Sequence, residues 1–387
     1  MVPNGWKRVP IKEVCHSIID CVNKTAPVVD YETPYKMIRT SNVRNGRVNT
    51  FDVRYVTKET YEQWTRRGAP LKGDVILTRE APVGEVGILE NAEGIFLGQR
   101  LMMYRANKKI ADNYYLFYSL SSAFCQKQIE DYSNGGTVAH MRVPDCGEIL
   151  VNLPPLLEQQ KIAQVLSTWD QAISATEKML ENSQQQKKAL MQQLLTGKKR
   201  LLDENGVKFS GEWKDSHLVD IAKISKGKAL SSKDLEIGSY PVIAGGKTSP
   251  YTHSEYTHEN VITVSASGAY AGYVAFYPYK IWASDCSVVS NKIGSDINFI
   301  YHLLVSMQTI IYSLQSGGAQ PHIYPKDIEG LKILIPPLVE QKKIASVLSL
   351  ADQEIDTLQK KLDCLKQEKK ALMQQLLTGK KRVKVAA

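Results

Sequence analysis

Pro154-Pro155-Leu156-Leu157-Glu158-Gln159-Gln160-Lys161-Ile162-Ala163 returns 182 residues later as Pro336-Pro337-Leu338-Val339-Glu340-Gln341-Lys342-Lys343-Ile344-Ala345. At the same offset, the run from Lys187 to Arg200 matches the run from Lys369 to Arg382 residue for residue. Aligned without a gap, 31 of the 47 positions between 154 and 200 are identical to their counterparts, so the chain carries an internal duplication. Both copies read as long helices. The paired prolines cannot lie inside a helix but suit its approach. Gly197 and Gly379 stand where a C-terminal cap belongs, and the Lys-Lys-Arg after each complements the helix dipole.

Within each copy the apolar residues advance in steps of four and three, the spacing of an a/d seam. In the second copy the seam is Ile344, Leu348, Ala351, Ile355, Leu358, Leu362, Leu365, Lys369, Leu372 and Leu376. In the first it is Ile162, Leu166, Trp169, Ile173, Thr176, Leu180, Ser183, Lys187, Leu190 and Leu194. Two imperfect seams of equal length predict that the helices pack on each other; the plainer alternative is two amphipathic helices buried separately. Lys187 and Lys369, both on the seam, read as register-setting or snorkelling residues. A helix of about 40 residues spans about 60 Å.

The duplication divides the chain into 1–153, 154–200, 201–335 and 336–387. Segments 1–153 and 201–335 read as strands and loops: Asp74-Val75-Ile76-Leu77-Thr78, Gly84-Glu85-Val86-Gly87-Ile88-Leu89, Val261-Ile262-Thr263-Val264 and Tyr273-Val274-Ala275-Phe276 are short β-rich runs punctuated by glycine. Helices are expected near 112–131 and 296–315. The two segments share a frame but little sequence. Each opens on Trp-Lys (Trp6-Lys7, Trp213-Lys214). Each closes on a Gly-Gly turn followed by histidine and aspartate: Gly135-Gly136, His140 and Asp145, then Gly317-Gly318, His322 and Asp327. A duplicated scaffold with diverged contents suits a protein that recognises two different things.

The 387 residues, 43% of them hydrophobic, suffice for more than one core, and no run approaches the roughly 20 apolar residues of a membrane span. A cytoplasmic protein is expected. Six scattered cysteines form no C-x-x-C pair and read as free, mostly buried thiols, with no metal site. The net charge of +9 suggests a polyanionic partner, yet it is uneven: 201–335 holds 11 basic and 13 acidic residues and no arginine, whereas 1–153 holds eleven arginines. No G-x-G-x-x-G, Walker A, H-E-x-x-H or G-x-S-x-G motif occurs, and His140 and His322 lack a positioned partner for base catalysis. The chain reads as a binder with no catalytic residue.

The Pro-Pro-Leu-x-Glu-Gln-x-x-Ile-Ala motif and the Leu-Leu-Thr-Gly-Lys-Lys-Arg ending, repeated around dissimilar domains, resemble the specificity subunit of type I restriction-modification systems over nearly the whole length. Gly73-Asp74-Val75-Ile76-Leu77 with Gly84, and Ser316-Gly317-Gly318-Ala319-Gln320-Pro321-His322-Ile323, support the resemblance. It implies an α+β fold: two α/β target-recognition domains with twisted, mainly antiparallel sheets, and two long antiparallel coiled-coil helices, related by pseudo-two-fold duplication. It also implies a bipartite, asymmetric double-stranded DNA target, docking of two methyltransferase subunits, and recruitment of restriction/translocase subunits. S-adenosylmethionine, ATP and Mg would then serve those partners, with no cofactor in this chain. A coiled-coil adaptor that never touches DNA, a chain that is itself a methyltransferase, and a specificity subunit of a related type II enzyme are the competing readings.

Sequence readers are expected among arginine, lysine, amide and hydroxyl side chains on loops. In 1–153 these are Arg39, Thr40, Ser41, Asn42, Arg44, Arg47, Arg66, Arg67, Thr78, Arg79, Gln99 and Arg100. In 201–335 they are Lys226, Lys228, Lys247, Ser265, Ser267, Tyr270, Tyr273, Asn291, Gln320, His322 and Tyr324. Without arginine, bidentate contacts to guanine are missing from the second set, and an A·T-biased half-site is expected there.

Overall fold

A computed structural model describes residues 2–133, 139–231, 233–246, 251–318 and 320–384. The chain forms two compact units, one of residues 1–176 with 361–387 and the other of residues 177–360. The two long helices, Leu156–Leu194 and Leu338–Leu377, therefore each give one part to either unit. Their ends follow the expected chemistry. Pro155 and Pro337 supply the carbonyls that accept the first helical amides, and Gly197 and Gly379 both take φ of +70°. At Gly379 a Cβ would lie 2.3 Å from the Pro3 ring, so glycine is required by space as well as by backbone conformation.

No residue of either predicted seam is exposed. Inside the first unit the two helix segments run antiparallel, with Asp170 paired to Lys369 at 2.6 Å and Glu158 to Arg382. Inside the second unit Lys187 pairs with Asp352 and Arg200 with Glu340 in the same order. The seam lysines thus set register by meeting an aspartate on the opposite helix.

The sheets repeat one plan. In the first unit Lys7–Pro10 pairs with Leu150–Leu153, and a six-stranded sheet runs in the order Cys15–Asp20, Leu101–Ala106, Val75–Arg79, Val83–Ile88, Gly46–Val48, Val43–Arg44. In the second unit Lys214–His217 pairs with Lys332–Ile335, and a four-stranded sheet runs Ala222–Lys226, Cys286–Asn291, Val261–Ser265, Val274–Tyr277. Each unit adds a small three-stranded sheet with one parallel pair, Lys36–Ile38 beside Ile95–Leu97 and Tyr240–Ile243 beside Trp282–Ala283. Most other pairings are antiparallel, the exception being Gly46–Val48 with Val83–Ile88.

Asn113–Leu120 and Ala123–Ser133 pack on the first large sheet; Ile297–Ser306 and Gln308–Ser313 serve the second. Asp112 and Asp296 cap the leading helix of each pair by accepting the amides of Tyr115 and Phe299, both at 2.9 Å. The larger core of the first unit joins Leu116, Tyr104 and Val151 to Ile162, Leu166 and Leu376 of the long helices. The second joins Phe299, Ile300 and Val289 to Leu194, Ile344 and Leu348. The two sheet domains are therefore welded to the helices rather than tethered. Of the six cysteines, Cys21, Cys125, Cys146 and Cys286 are buried, Cys15 half-buried and Cys364 exposed, all as free thiols.

Candidate nucleic-acid interface

The repeated Glu-Gln of the helix motif is structural. Glu158, 3% exposed, accepts Arg382 Nη2 at 2.7 Å and the Trp6 indole at 3.1 Å, and Glu340, fully buried, accepts Arg200 Nη2 at 2.7 Å and the Trp213 indole at 3.1 Å. Gln159 and Gln341 each donate to the carbonyl of the proline five residues earlier and accept the amide of the helix-capping aspartate. These contacts anchor each sheet domain to the helix start and explain the repeated tryptophan of the Trp-Lys frame.

At the other end of each large sheet lies a rim built the same way twice. In the first unit Leu101 pairs with Thr78, so the hairpin tip after Arg79 faces the residue before Leu101. In the second, Cys286 pairs with Ser265, placing the segment after Ser265 against Asp285. Arg79 N donates to Arg100 O at 2.8 Å, and Ala266 N donates to Asp285 O at 3.1 Å. A third segment closes each rim: Met141 N donates to Arg79 O, and Ile323 N to Ala266 O, carrying His140 and His322 to matching places. Register makes Thr78, Glu80 and Arg100 the counterparts of Ser265, Ser267 and Asp285.

In the first unit this rim gathers Arg79, Gln99 and Arg100 with two residues outside the predicted readers, Glu80 and His140. Glu80 pairs with Arg100 at 3.2 Å and with His140 Nδ1 at 3.4 Å. Arg100 is half exposed and holds φ of +72°, a left-handed conformation that non-glycine residues seldom adopt away from functional or tightly constrained sites. The remaining candidates fall into two other groups. Arg39, Thr40, Ser41, Asn42, Arg44 and Arg47 lie on one loop and its hairpin, and Arg66 and Arg67 follow the helix Lys58–Thr65, where Arg67 pairs with Asp20.

In the second unit Ser267, Tyr270, His322 and Tyr324 come together. Ser267 and Ser316 bridge to His322, the His322 ring lies 6.3 Å from Tyr324 in a stacked orientation, and Tyr270 and Tyr324 are 44% and 48% exposed. Gln320 is exposed on the same segment. Lys226 and Lys228 flank it, since Gly227 N donates to Cys286 O and Lys228 N to Ala283 O; the Lys228 ammonium sits 4.8 Å over the Trp282 ring. Lys247 lies outside the described residues.

Several expected readers are buried or are engaged with neighbouring backbone groups. Asn42, 3% exposed, accepts the Arg39 amide and donates to the Asn49 and Asp52 carbonyls, so it staples its loop. Thr78, fully buried, donates to Pro82 O and accepts the Glu85 amide, shaping the hairpin tip. Ser265 is buried at 3% exposure, and Tyr273 is half-buried with its backbone bonded to Ser265 and Tyr270. Arg44 spends Nη1 on the Thr40 and Val43 carbonyls, and Arg79 Nη1 binds Met141 O. Asn291 lies at the opposite end of its strand from Asp285 and bonds Ser295 O. Short polar side chains in β-rich loops satisfy neighbouring backbone groups as readily as a ligand, and sequence alone does not separate the two.

Residues 3–183 and 210–367 match the family model for the type I restriction modification DNA specificity domain. The chain belongs to this family. Its relatives include the putative type I restriction enzyme MjaX specificity subunit of Methanocaldococcus jannaschii, 28% identical over 99% of this chain and 95% of the relative. The StySPI specificity subunit of Salmonella potsdam is 25% identical over 94% of this chain and 85% of the relative. The crystal structure of a type I restriction-modification system S subunit from M. genitalium has the same fold, with TM-score 0.70 at 18% identity across 97% of this chain and 98% of that one. As a specificity subunit of this family, the chain has a DNA-recognition role. Among the described residues no cluster of three or more His, Cys, Asp or Glu is arranged to hold a metal, and no helix is long and apolar enough to cross a membrane.

Proposed function

We propose that this chain reads a bipartite, asymmetric duplex, one half-site per unit, while its paired helices dock two methyltransferase subunits and, through them, restriction/translocase subunits. The observation that carries this reading is the contrast between the repeats. The helix anchors Glu158–Arg382 and Glu340–Arg200 are copies, whereas the matching rims differ in charge and shape. Two closely similar docking platforms bearing two different readers suit one kind of partner and two kinds of DNA. In this proposal the chain itself performs no chemistry, and S-adenosylmethionine, ATP and Mg belong to its partners. The test is binding of the chain, assembled with methyltransferase subunits, to duplexes carrying its methylation motif. Affinity should fall steeply with salt and by at least about a thousandfold when both half-sites are scrambled. Equal affinity for scrambled DNA would reject the reading, as would S-adenosylmethionine binding by the isolated chain.

The helices also act as a ruler in this proposal. Four residues inserted at the equivalent point of each helix add about 6 Å, one to two base pairs at about 3.4 Å each. Mapping methylated sites should show a spacer longer by that amount with both half-sites intact. An unchanged spacer would show that the helices do not set it.

A further inference from the structure

The two rims present opposite charges at the same structural position. In the first unit that position is Arg100, immediately before the strand Leu101–Ala106, with Glu80 of the facing tip as its partner. In the second it is Asp285, immediately before Cys286–Asn291, and the facing residue Ser267 donates its hydroxyl to Asp285 Oδ2. The swap of Glu80/Arg100 for Ser267/Asp285 keeps the two matching amide bonds of each rim, although Arg100 takes a left-handed φ of +72° and Asp285 does not.

A carboxylate on a surface that meets DNA is repelled by phosphate unless it meets a donor. Asp285 is half-buried, and among the described residues no lysine or arginine pairs with it. One of its oxygens is engaged by Ser267, which fixes the carboxylate plane. The backbone at Gly245 passes so close that a Cβ there would lie 3.5 Å from Asp285 Oδ2 and 2.8 Å from Ser267 O, confining the group further. In the major groove the donors that a base pair offers a carboxylate are exocyclic amines, and the usual aspartate partner is cytosine N4. Arg100, braced by Glu80, has the complementary chemistry and suits the paired acceptors of guanine.

We propose that Asp285 reads one base pair of the second half-site by accepting a hydrogen bond from cytosine N4, at the place where the first reader presents Arg100 to guanine. Glu80 and Ser267 are positioning residues that hold these two groups. The assignment rests on the DNA-reading role proposed above, and it sets a G·C pair within the half-site that the lack of arginine led us to expect as A·T-biased.

The experiment maps methylated sites, and measures duplex binding, for the full chain assembled with its methyltransferase subunits. Asp285→Asn should lose the G·C requirement at one position of the second half-site, with roughly 10- to 100-fold weaker binding to the original duplex, while the first half-site and the spacer stay unchanged. Asp285→Glu, which keeps the acceptor, should retain the cytosine preference. Arg100→Ala should relax one position of the first half-site only. The proposal is overturned if Asp285→Asn leaves the motif unchanged, if the wild-type second half-site has no G·C pair, or if Asp285→Glu loses the preference as completely as Asp285→Asn. Failure of the DNA-reading role itself would look different, since the wild-type complex would then bind scrambled and native duplexes alike.

Discussion

Replacing Arg200 by alanine is expected to destabilise the 177–360 unit by about 3–5 kcal/mol, the usual cost of leaving one charge of a buried pair without its partner. Glu340 is fully buried, and its two oxygens accept Arg200 Nε at 2.6 Å and Nη2 at 2.7 Å. Once the guanidinium is gone, the Trp213 indole is left as its remaining side-chain donor. The equivalent Arg382→Ala should cost less, because Arg382 is 44% exposed where Arg200 is 19% exposed, and water can replace more of what it supplies. Replacing Arg200 and Glu340 together by apolar residues of similar volume should be close to neutral. Urea unfolding followed by tryptophan fluorescence reads all three. A change below about 1 kcal/mol for Arg200→Ala would mean that the pair does not anchor this domain to its helix.

Acid should weaken the same unit through His302. The ring is 1% exposed, its Nε2 lies 3.1 Å from Ser349 Oγ, and burial pushes its pKa down from the ordinary histidine value to about 4. Asp352 and Asp296 favour the charged ring and Lys187 opposes it, but neither carboxylate offsets the loss of water; Tyr301 is its ring neighbour. Because the folded pKa lies below the unfolded one, the stabilisation is complete above about pH 6.5 and is lost progressively as pH falls toward 4. By pH 5 the loss is of the order of 2 kcal/mol. The matching network of the first unit has Tyr118 donating to Asp170 at 2.6 Å, with its phenol pushed far above its usual range by burial, so it takes no part in this window. His302→Asn should remove most of the pH 5 to 7 slope from the unfolding midpoint of the second unit. A slope that survives the substitution would place the titrating group elsewhere.

The long helices were legible because their information is local. Seam spacing, flanking prolines and capping glycines act within a few turns, and the copy at constant offset made each helix a check on the other. The strand-rich character of both domains was legible for the same reason. Several individual readers were not. Asn42 and Thr78 look like base-reading side chains in a list of residues, but the fold uses them to satisfy loop amides and carbonyls. Glu80 and Asp285 gave no signal, because an isolated acidic residue in a basic or tyrosine-rich loop reads as ordinary surface.

The sequence by itself determined the duplication, the two long helices with their a/d seams, the strand-rich character of both domains and the family; the aspartates that the seam lysines meet came from the structure. The tertiary structure alone decided which polar side chains face outward, and that Arg100 and Asp285 are counterparts. The physical reason is the range of the interaction. A helix is specified by neighbours three and four residues apart, whereas the pairing of Leu101 with Thr78, or of Cys286 with Ser265, joins strands more than twenty residues apart in the chain, and only that pairing brings each rim together.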